Sequence, residues 1–311
     1  MRFFLKKNTQ KIPKYLKIVS GSYDFKSSRN LKGLDVKGPW RDNIVEFIKE
    51  HEIEALYLWR QDNYSFLSKL DGILELDITT SEAAGLTHIE GMTNLRNLSI
   101  TAHTADIIDF SKLKNLSKCY LLWWKGADSI LDVVWLKNLY LDERKAKDFS
   151  RLANFFQLES LTLANTPIEN LDWVQNIKTL RELELYNCKK LSDFQPIKTS
   201  RNLTKLCIDG SKLLSNIDFV ENLTELEILN ISDNGSIKSL SPLRNLKNLK
   251  ALAFAGKTLV SDGDLSILET LPKLSMLMFQ PHNHYSHKLI QEWDWKNFDT
   301  PAKLLEKKLS Y

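Results

Sequence analysis

Marked only as apolar or polar, the residues fall into a pattern that keeps returning along the chain. It is cleanest from Leu226 to Asn248, LEILNISDNGSIKSLSPLRNLKN, with apolar residues at positions one, four and six (Leu226, Leu229, Ile231) and an asparagine at nine (Asn234). Ile237, Leu240, Leu243 and Leu246 follow. Aligning position one gives starts at Leu31, Ile53, Ile73, Leu95, Leu116, Leu136, Leu158, Leu180, Leu203, Leu226, Leu249 and Leu274, with spacings of 20 to 25 residues centred on 22. Each start is followed by apolar residues three and five positions on, from Leu34 and Val36 to Leu277 and Phe279. A fixed period of this length means stacked units, each burying its apolar side against the next, instead of one enlarged globule.

Alternate residues of a strand point to opposite sides. Positions four and six therefore face a core, and positions three, five and seven face outward. Stacking the units pairs these strands in one parallel sheet of about twelve strands. The rest of each unit returns on the other side, where Leu191, Phe194 and Ile197 at three-residue spacing suit 3₁₀ turns. In the first return, RDNIVEFIKEH, Ile44, Phe47 and Ile48 share one helical face behind Asp42, which predicts a true helix with Asp42 as N-cap.

From Leu31 to about Gln280 the pattern resembles the short leucine-rich repeats of the bacterial internalin type. The resemblance implies an α/β, right-handed leucine-rich-repeat solenoid with a concave parallel sheet that takes ligands and a convex side of 3₁₀ and short helical turns. The chain departs from that family in two ways. The ninth-position asparagine, which in the family bonds backbone groups between coils, is clear only at Asn234, with His103, Trp124, Arg144 and Lys257 in the slot elsewhere. Internalins are also secreted, whereas MRFFLKKNTQ lacks an apolar run of signal-peptide length. A cell-surface role is not carried over, and a cytoplasmic setting is expected.

One elongated domain is expected, with an N-terminal cap over residues 1–30, repeats over 31–280 and a C-terminal cap over 281–311. Leu16, Ile18 and Val19 can supply an edge strand, and Lys6, Lys7, Lys11, Lys14 and Lys17 suit protection of that edge. Leu289, Ile290, Trp293 and Phe298 could form a closing helix or helices. Apolar residues make up 43% of the 311, ample for a continuous core. No stretch approaches the ~20 apolar residues of a membrane span. A net charge of +4 proposes no nucleic-acid or membrane partner by itself. Cys119, Cys188 and Cys207 are read as structural thiols, and a monomer is expected, although the sequence does not fix the oligomeric state.

The motifs of nucleotide-binding loops, zinc proteases and serine hydrolases are missing, so no enzyme and no cofactor is expected. Asp142 and Glu184, two coils apart at ~4.8 Å per strand, would match an inverting glycosidase pair, a coincidence that comes cheaply on a face with several acids. His282, His284 and His287 lack a second ligand cluster and are read as a polar cap loop, not a metal site.

The distribution of charge says more. Positions five, seven and eight carry Asp35, Asp77, Asp142, Glu143, Glu184, Asp209 and Asp233, against Lys37 and Arg60. An acidic concave face and a basic remainder are expected. Tyr57, Trp59, Tyr120, Trp123, Tyr140 and Tyr186 interleave with the acids, and outward aromatics of this kind are enriched at interfaces. One of the adjacent Trp123 and Trp124 is expected to turn inward. The partner-binding residues on this reading are Tyr57, Trp59, Asp77, Tyr120, Trp123, Tyr140, Asp142, Glu143, Glu184, Tyr186 and Asp209. The function expected is a non-enzymatic scaffold for a basic protein partner, in its narrowest form an inhibitor or immunity-type protein. The same face could instead take a carbohydrate, bound or processed. Nucleic acid would need basic convex segments such as Arg244 to Lys250, whose lysines and arginines recur as a solubilising surface does.

Overall fold

The pattern of positions four and six becomes strands wherever it occurs in the residues the computed structural model describes, 13–20, 31–142, 148–289 and 305–307. The chain divides into two compact units, residues 1–116 with 124–130, and residues 117–123 with 131–311.

In the first unit β1 (Leu16–Ser20) runs antiparallel to β2 (Lys32–Val36), so the short apolar run near the N-terminus does form a strand. β2, β3 (Ala55–Trp59), β4 (Glu75–Glu82) and β5 (Asn97–His103) are parallel, with Leu34, Leu56, Leu76 and Leu98 in register. All four leucines are fully buried, as are Val36, Leu58, Ile78 and Ile100 two residues on. Burying each such side chain is worth about 1.5–3 kcal/mol. The predicted helix is α1 (Asn43–Glu50), with Ile44 and Ile48 buried. Asp42 does not cap it: its backbone is already helical, and its carboxylate accepts from Lys69 Nζ at 2.8 Å.

The second unit repeats the plan through β6 (Lys118–Leu122), β7 (Asn138–Asp142), β8 (Ser160–Ala164), β9 (Glu182–Tyr186), β10 (Lys205–Asp209) and β11 (Ile228–Asn230). A short strand β12 (Ser236–Ile237) lies in a return segment, and β13 (Ala251–Phe254) continues the main sheet. β14 (Leu259–Val260) pairs with β12, and β15 (Met276–Phe279) ends the parallel series. β16 (His287–Leu289) pairs antiparallel with β17 (Leu305–Lys307). The position-four residues from Cys119 to Leu277 lie in one row, none more than 2% exposed. Four parallel strands in the first unit and eight in the second make the twelve read from the sequence. The returns are 3₁₀ turns such as Ser150–Asn154, Asp172–Asn176, Gln195–Thr199 and Ser241–Asn245. Leu289 lies in β16, while Ile290, Trp293 and Phe298 fall outside the described residues. Among the described residues no helix is long and apolar enough to cross a membrane.

Position nine holds neighbouring coils together with a wider set of residues than asparagine. Asn234 Nδ2 donates to the Ile208 carbonyl at 2.7 Å, and its Oδ1 accepts from the Ser211 amide at 2.8 Å. Gln61 does the same work in the first unit, donating to the Gly38 carbonyl and accepting from the Trp40 amide. Trp124 does it with its indole, which donates to the Asp106 carbonyl at 2.7 Å across Gly126. Thr166 and Cys188 meet side chain to side chain, and Thr258 Oγ1 donates to the Ile231 carbonyl. The residue before this slot is left-handed at Arg60, Asn165, Asn187, Gly210, Asp233 and Gly256. Asn, Gly and Asp are the residues that accept that conformation most readily.

Candidate functional site

The outward side of the sheet is where each coil can differ without cost to the core, and the two units use it differently. In the first unit positions three and five are buried, while position seven is not. Tyr57 is 1% exposed: its ring lies over Gly33, where a Cβ would come within 2.7 Å of it, and its hydroxyl donates to Glu75 at 2.7 Å. Asn97 donates to the other Glu75 oxygen, and Asp77 and Asp35 are buried too, Asp35 with Lys37 Nζ at 3.5 Å. Tyr57 and Asp77 therefore do not line an open surface, contrary to the expectation from their strand parity. The space above Gly33 and the carboxylate of Glu75, both at position three, draw the tyrosine down onto the sheet. Trp59 is half-buried beside them.

In the second unit more of the outward side is accessible, although Thr162, Ala164 and Cys207 are buried. Tyr120 and Tyr140 occupy position five on adjacent strands and stack with centroids 3.9 Å apart and planes 11° from parallel. Both are half-exposed. Burial first, then the hydrogen bond to Tyr120 and the charges of Asp142 and Glu184, push the Tyr140 phenol well above its ordinary value. Tyr140 thus stays a neutral hydroxyl. Asp142, at position seven, accepts from Asn165 Nδ2 at 2.9 and 3.0 Å on its two oxygens.

Glu184 follows two strands on. It accepts from the Tyr186 hydroxyl and from Lys205 Nζ, the latter at 2.7 Å. Burial and that donation to Glu184 raise the Tyr186 phenol. Cys207 lies beside them, 3% exposed, its thiol pushed up to about 11 mainly by burial. Asp209 is half-buried, and burial followed by the nearby Asp233 raises its carboxyl. Lys118 and Lys205, at position three, share this side with the acids and temper the charge segregation counted from positions five, seven and eight.

The tryptophan pair divides as expected. Trp124 is 8% exposed, and Trp123 is half-exposed with its ring edge-on to Phe149 at 6.4 Å. Glu143 lies outside the described residues. Asp142 and Glu184 are each engaged by neighbours. His284 and His287 are committed elsewhere: His284 Nε2 reaches the Val260 carbonyl at 2.9 Å, and buried His287 sits 3.4 Å from Glu269. Among the described residues no group of three His, Cys, Asp or Glu side chains could hold a metal ion.

One feature of this face escapes the charge and aromatic patterns. Ile228, Ala251, Ala253, Met276 and Met278 point outward on the last three strands and line an apolar hollow. Parity alone places them there, but small and aliphatic residues carry neither signal, which left these coils at the periphery of the expected site.

No protein-family model and no curated protein sequence matches the chain. Solved structures do. An internalin (inlF) from Listeria monocytogenes superposes with a TM-score of 0.55 at 23% identity, over 75% of this chain and 77% of that one. A TDR receptor gives a TM-score of 0.52 at 17% identity, over 78% of this chain and half of the receptor. At these identities the likeness establishes the fold, a leucine-rich-repeat solenoid.

Proposed function

We propose that the protein is a non-enzymatic scaffold that binds a basic protein partner on the outward face of its second unit. The observation that carries this reading is the Tyr120–Tyr140 stack, half-exposed and flanked by Asp142 on one strand and the Glu184–Tyr186 pair further on. Tyrosine offers large, rigid contact area with a polar tip, which suits it to interface hot spots. Acids around it would speed the approach of a basic surface more than they would tighten the complex. The unpaired Cys119, Cys188 and Cys207 fit a reducing, cytoplasmic setting. An inhibitor or immunity-type role is the narrowest form of the proposal.

Affinity capture from native lysate with mass spectrometry tests it. The intact chain should retain a basic protein, and the double variant Tyr140→Ala, Asp142→Asn should lose it. Equal capture by both would remove the assignment.

A further inference from the structure

A hollow of about 160 Å³ opens on the outward face between β11, β13 and β15. Ala251 and Ala253 form its floor, and Ile228, Met276 and Met278 rise around it. The two alanines make the depression, because the flanking strands carry long side chains at the same positions. Met278 is 40% exposed at the rim. Methionine is unbranched and polarisable, and adapts to whatever apolar group arrives. A dry apolar cavity of about 150 Å³ accepts a benzene-sized group, so the hollow fits a single side chain the size of Leu, Met or Phe.

Two carboxylates lie next to it. Asn230 lines the hollow, its Nδ2 donating to Cys207 Sγ at 3.4 Å and its Oδ1 accepting from the Ser232 amide, and Asp209 stands two residues beyond Cys207 on the same strand. Asp233, just past β11, turns left-handed, and its Oδ1 accepts from the Lys257 amide at 3.3 Å. Among the described residues no cation pairs with either. From Ala253 to Asp209 is two strand spacings across and one pleat along, roughly 12 Å, which an extended chain covers in about three or four residues.

Resting on the reading that this face binds a protein, we propose that the hollow anchors an extended partner segment. That segment carries one apolar side chain and, three or four residues away, a lysine or arginine placed against Asp209 and Asp233. The apolar group would leave water for a surface with little to hydrogen-bond. The cation would meet two carboxylates that have no ion pair among the described residues.

A phage-displayed library of random dodecapeptides, selected on the full chain, tests this. Enriched peptides are then measured on Ala253→Phe, which fills the hollow, and on Met278→Glu, which puts a charge at its mouth. Both residues face outward, so the core is untouched, and circular dichroism checks the fold. Peptides that lose at least about tenfold in affinity on both variants should share an apolar residue three or four positions from a Lys or Arg. They should also weaken on Asp209→Asn. Peptides that bind the parent chain and Ala253→Phe alike would overturn the proposal, as would hollow-dependent peptides without a basic residue or a library without enrichment. Peptides lost on Tyr140→Ala yet indifferent to Ala253→Phe would sink the hollow and leave the tyrosine face standing.

Discussion

Asn234→Ala removes a joint between coils. Asn234 is 2% exposed, and its side chain makes the 2.7 Å and 2.8 Å bonds to Ile208 and Ser211. Both partners are fully buried in the middle of the second unit. The substitution therefore leaves one backbone carbonyl and one amide without a partner and without water. Each orphaned group costs about 1–3 kcal/mol, so a loss of about 2–6 kcal/mol is expected in urea unfolding. Because stacked units depend on their nearest neighbours, the damage should be local, and hydrogen exchange at the Ser211 amide should quicken more than at amides of β7 or β8. Asn234→Thr should recover part of the loss, since the hydroxyl of Thr258, one position on in the next coil, reaches a buried backbone carbonyl of the coil before it. A loss below about 0.5 kcal/mol, the range of an ordinary surface substitution, with unchanged exchange at Ser211 would refute the reasoning.

Gly126→Ala would put a Cβ 2.0 Å from the Asp106 carbonyl oxygen and 2.8 Å from Trp124 Nε1. Backbone cannot yield as a side chain can, so a loss of about 2–4 kcal/mol with a blue-to-red change in tryptophan emission is expected; native emission and stability would refute it. Gly33→Val meets the Tyr57 ring and Val19 and should cost about 1–3 kcal/mol in thermal unfolding, with Tyr57→Ala in the same chain restoring part of it. Asp209→Asn should stabilise the protein at neutral pH by up to about 1 kcal/mol. A carboxyl raised in the folded state stabilises only while protonated, so the advantage of the amide should shrink as pH falls through the raised value, and an advantage that grows in acid would contradict it.

Much of the architecture was legible because burial enforces it. A strand whose alternate residues are leucine can sit only one way round, and a fixed period of them stacks parallel strands within each unit. The joints were harder to read. Gln61, Trp124 and Thr258 do what the family's asparagine does, but they share only a donor at suitable reach, and the Thr258 slot is shifted by one residue from Lys257. The outward face was half-legible. Parity placed Tyr120, Tyr140, Asp142 and Glu184 correctly, and misjudged Tyr57, because whether an outward ring stays in water depends on the residue one strand over. Gly33 there made room for it. Asp233 has a local reason to be where it is, its left-handed backbone, which a charge count cannot distinguish from a binding role. The hollow went unread because a depression is a relation among Ile228, Ala253 and Met278, residues far apart in the chain.

Position five of the second unit runs Tyr120, Tyr140, Thr162, Glu184, Cys207, Asn230, Ala253, Met278, one residue per strand. Strands repeat at ~4.8 Å and an extended chain at ~3.3 Å per residue, so two steps of the sheet nearly equal three of a peptide laid across it. Anything threaded over this row would fall into step with it on every third residue. The coils thus act as a ruler with a coarse grating, and a partner's sequence would show the beat between the two spacings as a three-residue rhythm.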